Sequence, residues 1–269
     1  MVVILAAGQG SRMGLEEGVS KCSVKLPDGR SSVRRLIDQF KSLGETKFVV
    51  VIGYGSDSVV KSVGTDHQVD VSYVYNGNYS DRGCNYSLAC AEGSIDSREN
   101  VIVVEGDLVT SDDNLQTIVD STESAVLVRP PCFLSEKSVA VICDDDCTQV
   151  LKFVYDKSHH FKMQDLPEIF SQVFDSSQVW KISRDNVLSF KNLLAYYKDA
   201  CDFENCDEVF RMESGILSLN NLALSTKMRP LYVPSPDNWV NLNKSSDIEL
   251  LAKEDSWYSV ESMEVDIDV

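Results

Sequence analysis

Five short apolar runs, rich in β-branched residues, recur through the first 130 positions: residues 2–6, 47–55, 69–76, 100–107 and 124–130. Most are apolar along their whole length rather than alternating, which is the pattern of strands covered on both faces. Helical segments separate them. "SSVRRLIDQFKSLG" sets Val33, Leu36, Ile37, Phe40 and Leu43 at helical spacing, with Ser31 or Ser32 as N-cap and Gly44 as the stop. "SDSVVKSV", "NYSLACAEG" and "SDDNLQTIVDS" read as further helices, the last capped by Ser111. Repeated strand–helix units of this kind predict a doubly wound, mostly parallel α/β sheet. Ligands of such sheets bind beyond the carboxyl ends of the strands.

After Pro131 the rhythm changes. Residues 137–156 read as a hairpin around the turn at Asp144, Asp145 and Asp146. Residues 163–200 read as largely helical, with Val187, Phe190, Leu194 and Tyr197 on one face. "SGILSLNN" and "RPLYVP" return to strand, and no repeat or linker interrupts the chain. The expected organisation is one domain over 1–252 with a β/α insertion at 130–236, followed by an acidic tail at 253–269.

The charge distribution narrows the choice of partner. The net charge of −17 disfavours nucleic acid and anionic membranes. Residues 1–35 run the other way: Arg12, Lys21, Lys25, Arg30, Arg34 and Arg35 face only Glu16, Glu17 and Asp28. A basic segment on an acidic protein suits a small anionic ligand. The eight cysteines form no CxxC pair, so free thiols are expected. The adjacent His159 and His160 read as a surface turn. No apolar run approaches the ~20 residues of a membrane span. With no basic leader and cleavage site at the start, a cytoplasmic location is expected.

The basic segment opens on "LAAGQGSRM", residues 5–13, directly after the first strand. Glycines there expose backbone N–H groups that can cradle an anion. The loop is not GxxxxGK[ST], because Met13 and Gly14 stand where that motif needs glycine and lysine. It is not GxGxxG either: Gly8, Gly10 and Gly14 close one residue late, and the second strand ends "VIGYG" without an acid.

Taken with "SKCSVKLPDGRSSVRRLIDQF", the loop resembles the signature of the GT-A-like nucleotidyltransferases, with Ser20 where that family usually has proline. The resemblance continues through "VVVIGY", "NGNYSDRGCNYSLACA" and "VVEGD". It returns at "NWVNLNKSSDIELL", which is similar to a segment of the phosphocholine- and phosphonate-type cytidylyltransferases. It is firm over 1–129 and 230–252 and weak between. It implies a Rossmann-like sheet in which 1–129 holds the nucleotide, 130–236 the acceptor and 237–252 part of a metal site.

The implied reaction transfers CMP from CTP to a small phosphorylated or phosphonate acceptor, such as phosphocholine or 2-aminoethylphosphonate, and releases pyrophosphate. Leu5, Ala6, Ala7, Gly8, Gly10, Ser11 and Ser87 are the implied nucleotide contacts. Arg12 and Lys21 are the implied catalytic cations, and Asp107 and Asn243 the implied ligands of Mg²⁺. Asn241 replaces the usual acid two positions before Asn243. A choline-like cation would need aromatic faces and an acid, for which Tyr86, Trp239, Glu213 and Asp237 are candidates, with Tyr79 and Trp180 behind them. Two alternatives stay open: a sugar-1-phosphate nucleotidyltransferase, and a nucleotide-binding pseudoenzyme or regulator. The oligomeric state is also open, a homodimer included.

Overall fold

The computed structural model describes residues 1–80, 84–129, 139–155, 172–201 and 226–253. Strands β1 (Val2–Ala6), β2 (Lys47–Ile52), β3 (Asp70–Tyr75), β4 (Val101–Glu105), β6 (Ala125–Arg129), β9 (Gln172–Ile182) and β10 (Arg229–Tyr232) line up in the order β10-β6-β9-β4-β1-β2-β3. Four of these six pairings are parallel, and the two that involve β9 are antiparallel. The hairpin β7 (Val139–Cys143) and β8 (Val150–Tyr155) joins the sheet through β9. A separate antiparallel pair, β5 (Leu108–Thr110) with β11 (Trp239–Asn241), stands at the end of β4.

Helices cover both faces. On one side lie α1 (Ser32–Ser42), α2 (Ser56–Val63) and α4 (Asp112–Asp120), packed on Val2, Ile4, Val50, Ile102 and Leu127. On the other lie α3 (Cys84–Cys90) and α5 (Arg184–Cys201), against Val3, Leu5, Val103, Val126 and Trp180. The alternation along β1 explains the division, since successive side chains point to opposite faces. Helix α1 follows its sequence closely: the Ser31 hydroxyl accepts from Arg34 N at 3.1 Å, and Val33, Leu36, Ile37 and Phe40 are fully buried. Each such side chain contributes about 1.5–3 kcal/mol through burial.

One expected element is different. Residues 172–182, read as helix, form the long strand β9 in the middle of the sheet, and the helix begins only at Arg184. The apolar pattern of β9 is interrupted by Asp175, Ser176, Ser177 and Gln178, which sit at a register shift against β6 with Gln178 at φ 58°. Tertiary pairing on both edges overrides this weak local strand signal. The strand-like 214–221, His159, His160 and the tail from 254 lie outside the described residues. Among the described residues no helix is long and apolar enough to cross a membrane.

A small third core closes the carboxyl end of the sheet. Met13, Leu26, Val109, Leu242 and Leu251 pack together, with Leu15, Val240 and Ile248 against them. Met13 follows Arg12, Leu26 follows the Lys21 segment, Val109 follows Asp107 and Leu242 precedes Asn243. Five apolar side chains thus hold together four chain segments that carry the polar residues described next.

Candidate active site

The glycine-rich loop leaves the buried end of β1 and turns into a 3-10 turn, Ser11–Met13, bracketed by Gly10 and Gly14 in the left-handed region. Gly10 is needed twice over. Its φ is 59°, and a Cβ there would meet the Lys21 side chain at 3.0 Å. A Cβ on Gly8 would meet nothing within 4 Å, so the loop is open to a ligand on that side. Gly8, Ser11 and Arg12 are exposed, whereas Leu5, Ala6 and Ala7 are buried. The Leu5 carbonyl accepts from Gly106 N at 2.8 Å and the Ala7 carbonyl from Tyr54 N at 3.1 Å, so two of the three backbone acceptors are engaged.

Lys21 opens a second 3-10 turn, Lys21–Ser23, whose N-cap is Ser20. Its ammonium donates to the Asp107 carboxylate in an ion pair in which the side chains are 17% and 10% exposed. Burial works against the charged lysine. Asp107 beside it, aided by Glu105, more than offsets this and holds the Lys21 pKa above its ordinary value. Asp107 is presented by the turn after β4, where a Cβ on Gly106 would lie 2.9 Å from the Leu5 carbonyl. The Ser32 hydroxyl donates to the Gly106 carbonyl at 2.7 Å and fixes that turn to α1.

Asn243 is brought to the same place by β11. The Leu242 amide donates to the Asp107 carbonyl at 2.9 Å, which sets the two backbones side by side. The Asn243 Nδ2 donates to the Asn241 carbonyl at 3.2 Å, so Oδ1 is the atom turned outward, and it accepts from Arg12 Nη2 at 2.9 Å. Asp247 caps the following helix α6 (Ser245–Leu251), accepting from Asn243 N and Lys244 N at 2.6 and 2.7 Å. A carboxylate and an outward amide oxygen, both held by neighbouring cations, are the donor set of a hard divalent ion that takes its other oxygens from phosphates and water. The residues present therefore fit Mg²⁺. Among the described residues no cluster of three His, Cys, Asp or Glu offers another metal site.

The remaining expected contacts divide. Ser87 is buried on α3, and its hydroxyl accepts from Asn76 Nδ2 at 3.0 Å. Asn76 was not singled out from sequence. It follows β3, is fully buried and also accepts from Asn78 N at 2.9 Å, making it the organiser of this wall. Tyr86 is buried with its hydroxyl accepting from Asn78 Nδ2 at 3.2 Å. Tyr79 sits edge-on to Tyr54, with ring centroids 6.0 Å apart. Trp180 belongs to the core, Asp237 is exposed, and Glu213 lies outside the described residues. Trp239 is buried against Arg129, whose guanidinium lies 5.7 Å from the ring centroid. Neither Arg129 nor its partner Asp175 was legible from sequence spacing. A polar groove lined by Arg98, Asn100, Ser183 and Arg184 lies at the opposite, amino end of β4.

The chain is similar in fold to nucleotidyltransferases. A CTP:phosphocholine cytidylyltransferase from Streptococcus pneumoniae superposes with a TM-score of 0.69 over 94% of this chain and 97% of its own, at 16% identity. An inositol-1-phosphate CTP transferase from T. maritima gives 0.62 over 94% of each chain at 17% identity. In sequence, a bifunctional protein GlmU of Marinobacter nauticus is 34% identical over 119 residues, 44% of this chain and 24% of that protein. A UTP–glucose-1-phosphate uridylyltransferase AglF of Haloferax volcanii is 30% identical over 133 residues, 47% of this chain and 53% of that protein. The chain thus spans about a quarter to a half of the length of these relatives. The fold is that of the GT-A-like nucleotidyltransferases. A family model described as a domain of unknown function, DUF6564, matches residues 20–254, and the chain belongs to that family.

Proposed function

We propose that the protein is a Mg²⁺-dependent nucleotidyltransferase that moves CMP from CTP to a small phosphorylated or phosphonate acceptor. The observation that carries this reading is the double pairing of Lys21 with Asp107 and Arg12 with Asn243 beyond the carboxyl ends of the parallel strands. The two cation–oxygen pairs join segments up to 231 residues apart, and the Leu242–Asp107 backbone hydrogen bond ties the Asn243 segment to the Asp107 turn beside an open glycine loop.

The chemistry asks for this set. An acceptor oxygen attacks the α-phosphorus, and the bond from that phosphorus to the bridging oxygen breaks, so pyrophosphate leaves with the electron pair. The acceptor is already ionised and needs no general base. Catalysis then rests on positioning and charge neutralisation. The exposed N–H groups around Gly8 and Gly10 and the Ser11 hydroxyl suit the β- and γ-phosphates. The Arg12 fork suits the leaving pyrophosphate, and the compact Lys21 ammonium the α-phosphate. Ser87 and the buried Ala6–Ala7 wall suit a pyrimidine. Asp107 and Asn243 would hold Mg²⁺, which supplies charge neutralisation on the triphosphate.

A second reading, a sugar-1-phosphate nucleotidyltransferase, is favoured by the uridylyltransferase among the relatives. Pyrophosphate release with each nucleoside triphosphate, crossed against phospho-acceptors, separates the two. Turnover with CTP supports the first reading. Turnover with UTP and sugar phosphates alone supports the second. Nucleotide binding with no turnover on any pair would make the chain a pseudoenzyme.

A further inference from the structure

Arg129 is the last residue of β6 and faces Asp175 on β9, to which its Nη2 donates. The Asp175 side chain is 3% exposed and that of Arg129 19%, so the pair is sunk into the sheet at the end of β6 with part of the guanidinium reaching solvent. Trp239 lies beneath the guanidinium. Among the described residues, Arg129 Nε, Trp239 Nε1 and the neighbouring Ser177 Oγ are buried and have no hydrogen-bond partner. All three can donate. Buried donors are nearly always satisfied, and leaving one without an acceptor costs about 1–3 kcal/mol. Of this cluster the Arg129 guanidinium is the part that reaches solvent, where it can meet the oxygen of a guest.

A quaternary ammonium needs the opposite arrangement, an open aromatic face and an uncommitted acid. Here Trp239 already carries a guanidinium over its ring, and Asp175 is engaged by the same group. The position fits a distal contact. Strand β9 lies between β4, which leads into Asp107, and β6, which ends in Arg129. Two strand spacings of ~4.8 Å set β6, which ends in Arg129, roughly 10 Å from β4, which leads into Asp107, about the length of a small organic phosphate. The Asn241 amide donates to Gln178 Oε1 at 2.6 Å and ties the metal-site segment to the β9 bulge between them.

We propose that Arg129, seated on Trp239, binds the far end of the acceptor through oxygen lone pairs. The acceptor is then an organic phosphate or phosphonate with a hydroxyl- or carboxylate-bearing end, not a choline or amine end. This rests on the nucleotidyltransferase reading for the reaction, while the binding itself can be measured without it. Calorimetry on the full chain with Mg²⁺ and α,β-methylene-CTP would use glucose 1-phosphate, 3-phosphonopropionate and phosphocholine as probes. At least one of the first two should bind tighter than phosphocholine. Arg129→Gln should weaken it at least tenfold, leaving the affinity for the nucleotide analogue within twofold. Trp239→Phe, which gives the guanidinium a smaller and weaker π face to sit on, should weaken it several-fold. If Arg129→Gln fails to fold, the double variant Arg129→Gln/Asp175→Asn removes both charges and should show the same loss. Tightest binding of phosphocholine, an unchanged affinity in these variants, or no binding of any probe would overturn the assignment. Pyrophosphate release is followed in parallel. Arg129-dependent binding with no turnover on any triphosphate sinks the transfer reading alone, and turnover that prefers phosphocholine sinks only the role of Arg129.

Discussion

Lys21 and Asp107 show how a single contact can serve two states. The lysine is the counter-cation of the Asp107 carboxylate, and the pair is mostly screened from water. In the proposed reaction the same ammonium would have phosphate oxygens to neutralise, and Asp107 would have Mg²⁺ as its cation. Removing either group therefore takes charge stabilisation from the transition state. Lys21→Ala and Asp107→Ala should each lower kcat by roughly 10²–10³-fold, read by pyrophosphate release, with circular dichroism unchanged. Near wild-type kcat in either variant would remove that residue from the site. Cys22, next to Lys21, behaves differently. It is 2% exposed, and burial, reinforced by Asp107, pushes its thiol up to about 12. A thiol raised this far favours the protonated folded state, so its contribution to stability is complete below pH ~9 and is lost as the pH rises from there towards 12. Cys22 should resist iodoacetamide in the native protein at pH 8, while the half-buried Cys90 and Cys147 react, as scored by peptide mass spectrometry. The residue types of the site were legible because glycine, arginine, lysine and aspartate stand in a spacing that resembles a family's. Their pairing was not: nothing in local sequence says that Arg12 meets Asn243 across 231 positions.

The elements that position these groups are fastened by the small core at the carboxyl end. Leu242 is fully buried there, beside Asn243 and hydrogen-bonded through its amide to the Asp107 carbonyl. Leu242→Ala should cost about 2–5 kcal/mol in urea unfolding if the cavity does not collapse. It should also lower turnover, because the strand that carries Asn243 loses its anchor. A full loss of stability with unchanged kcat and metal dependence would show that this core does not position the site. Strands β1, β2 and β4 were legible because their runs are apolar on both faces, a signal that survives without tertiary information, and the edge strand β3 by its β-branched and aromatic residues. Strand β9 was not, because its polar stretch from Asp175 to Gln178 supplies partners to Arg129 and Asn241. The hydrophobic pattern fails where the strand turns polar side chains to Arg129 and Asn241.

At the scale of the whole molecule, an acidic chain concentrates positive charge in its first 35 residues; Arg12 and Lys21 carry it to one end of the sheet, while Arg30, Arg34 and Arg35 pair with Asp28, Asp38 and Asp66. The segments meeting there come from the loop after β1, the Lys21 turn, the turn after β4 and the strand pair β5–β11. A triphosphate with Mg²⁺ would contact them all, so it binds the folded state and has no comparable site in the unfolded chain. At a ligand concentration 100 times Kd this linkage is worth about 2.7 kcal/mol. For a chain of this size a change of 1 kcal/mol moves Tm by roughly 2–4 °C, which predicts a rise of about 5–10 °C. Differential scanning fluorimetry with Mg²⁺ and each triphosphate in turn should give that rise with CTP and a smaller one with ATP or GTP. Chelation of the metal should reduce it sharply, and Arg12→Ala should reduce it further, because the arginine would be a second, separate cation on the triphosphate. A rise of the same size without Mg²⁺ would show that Asp107 and Asn243 do not hold the ion when nucleotide is bound. No rise with any triphosphate would show that the glycine loop is not a triphosphate cradle.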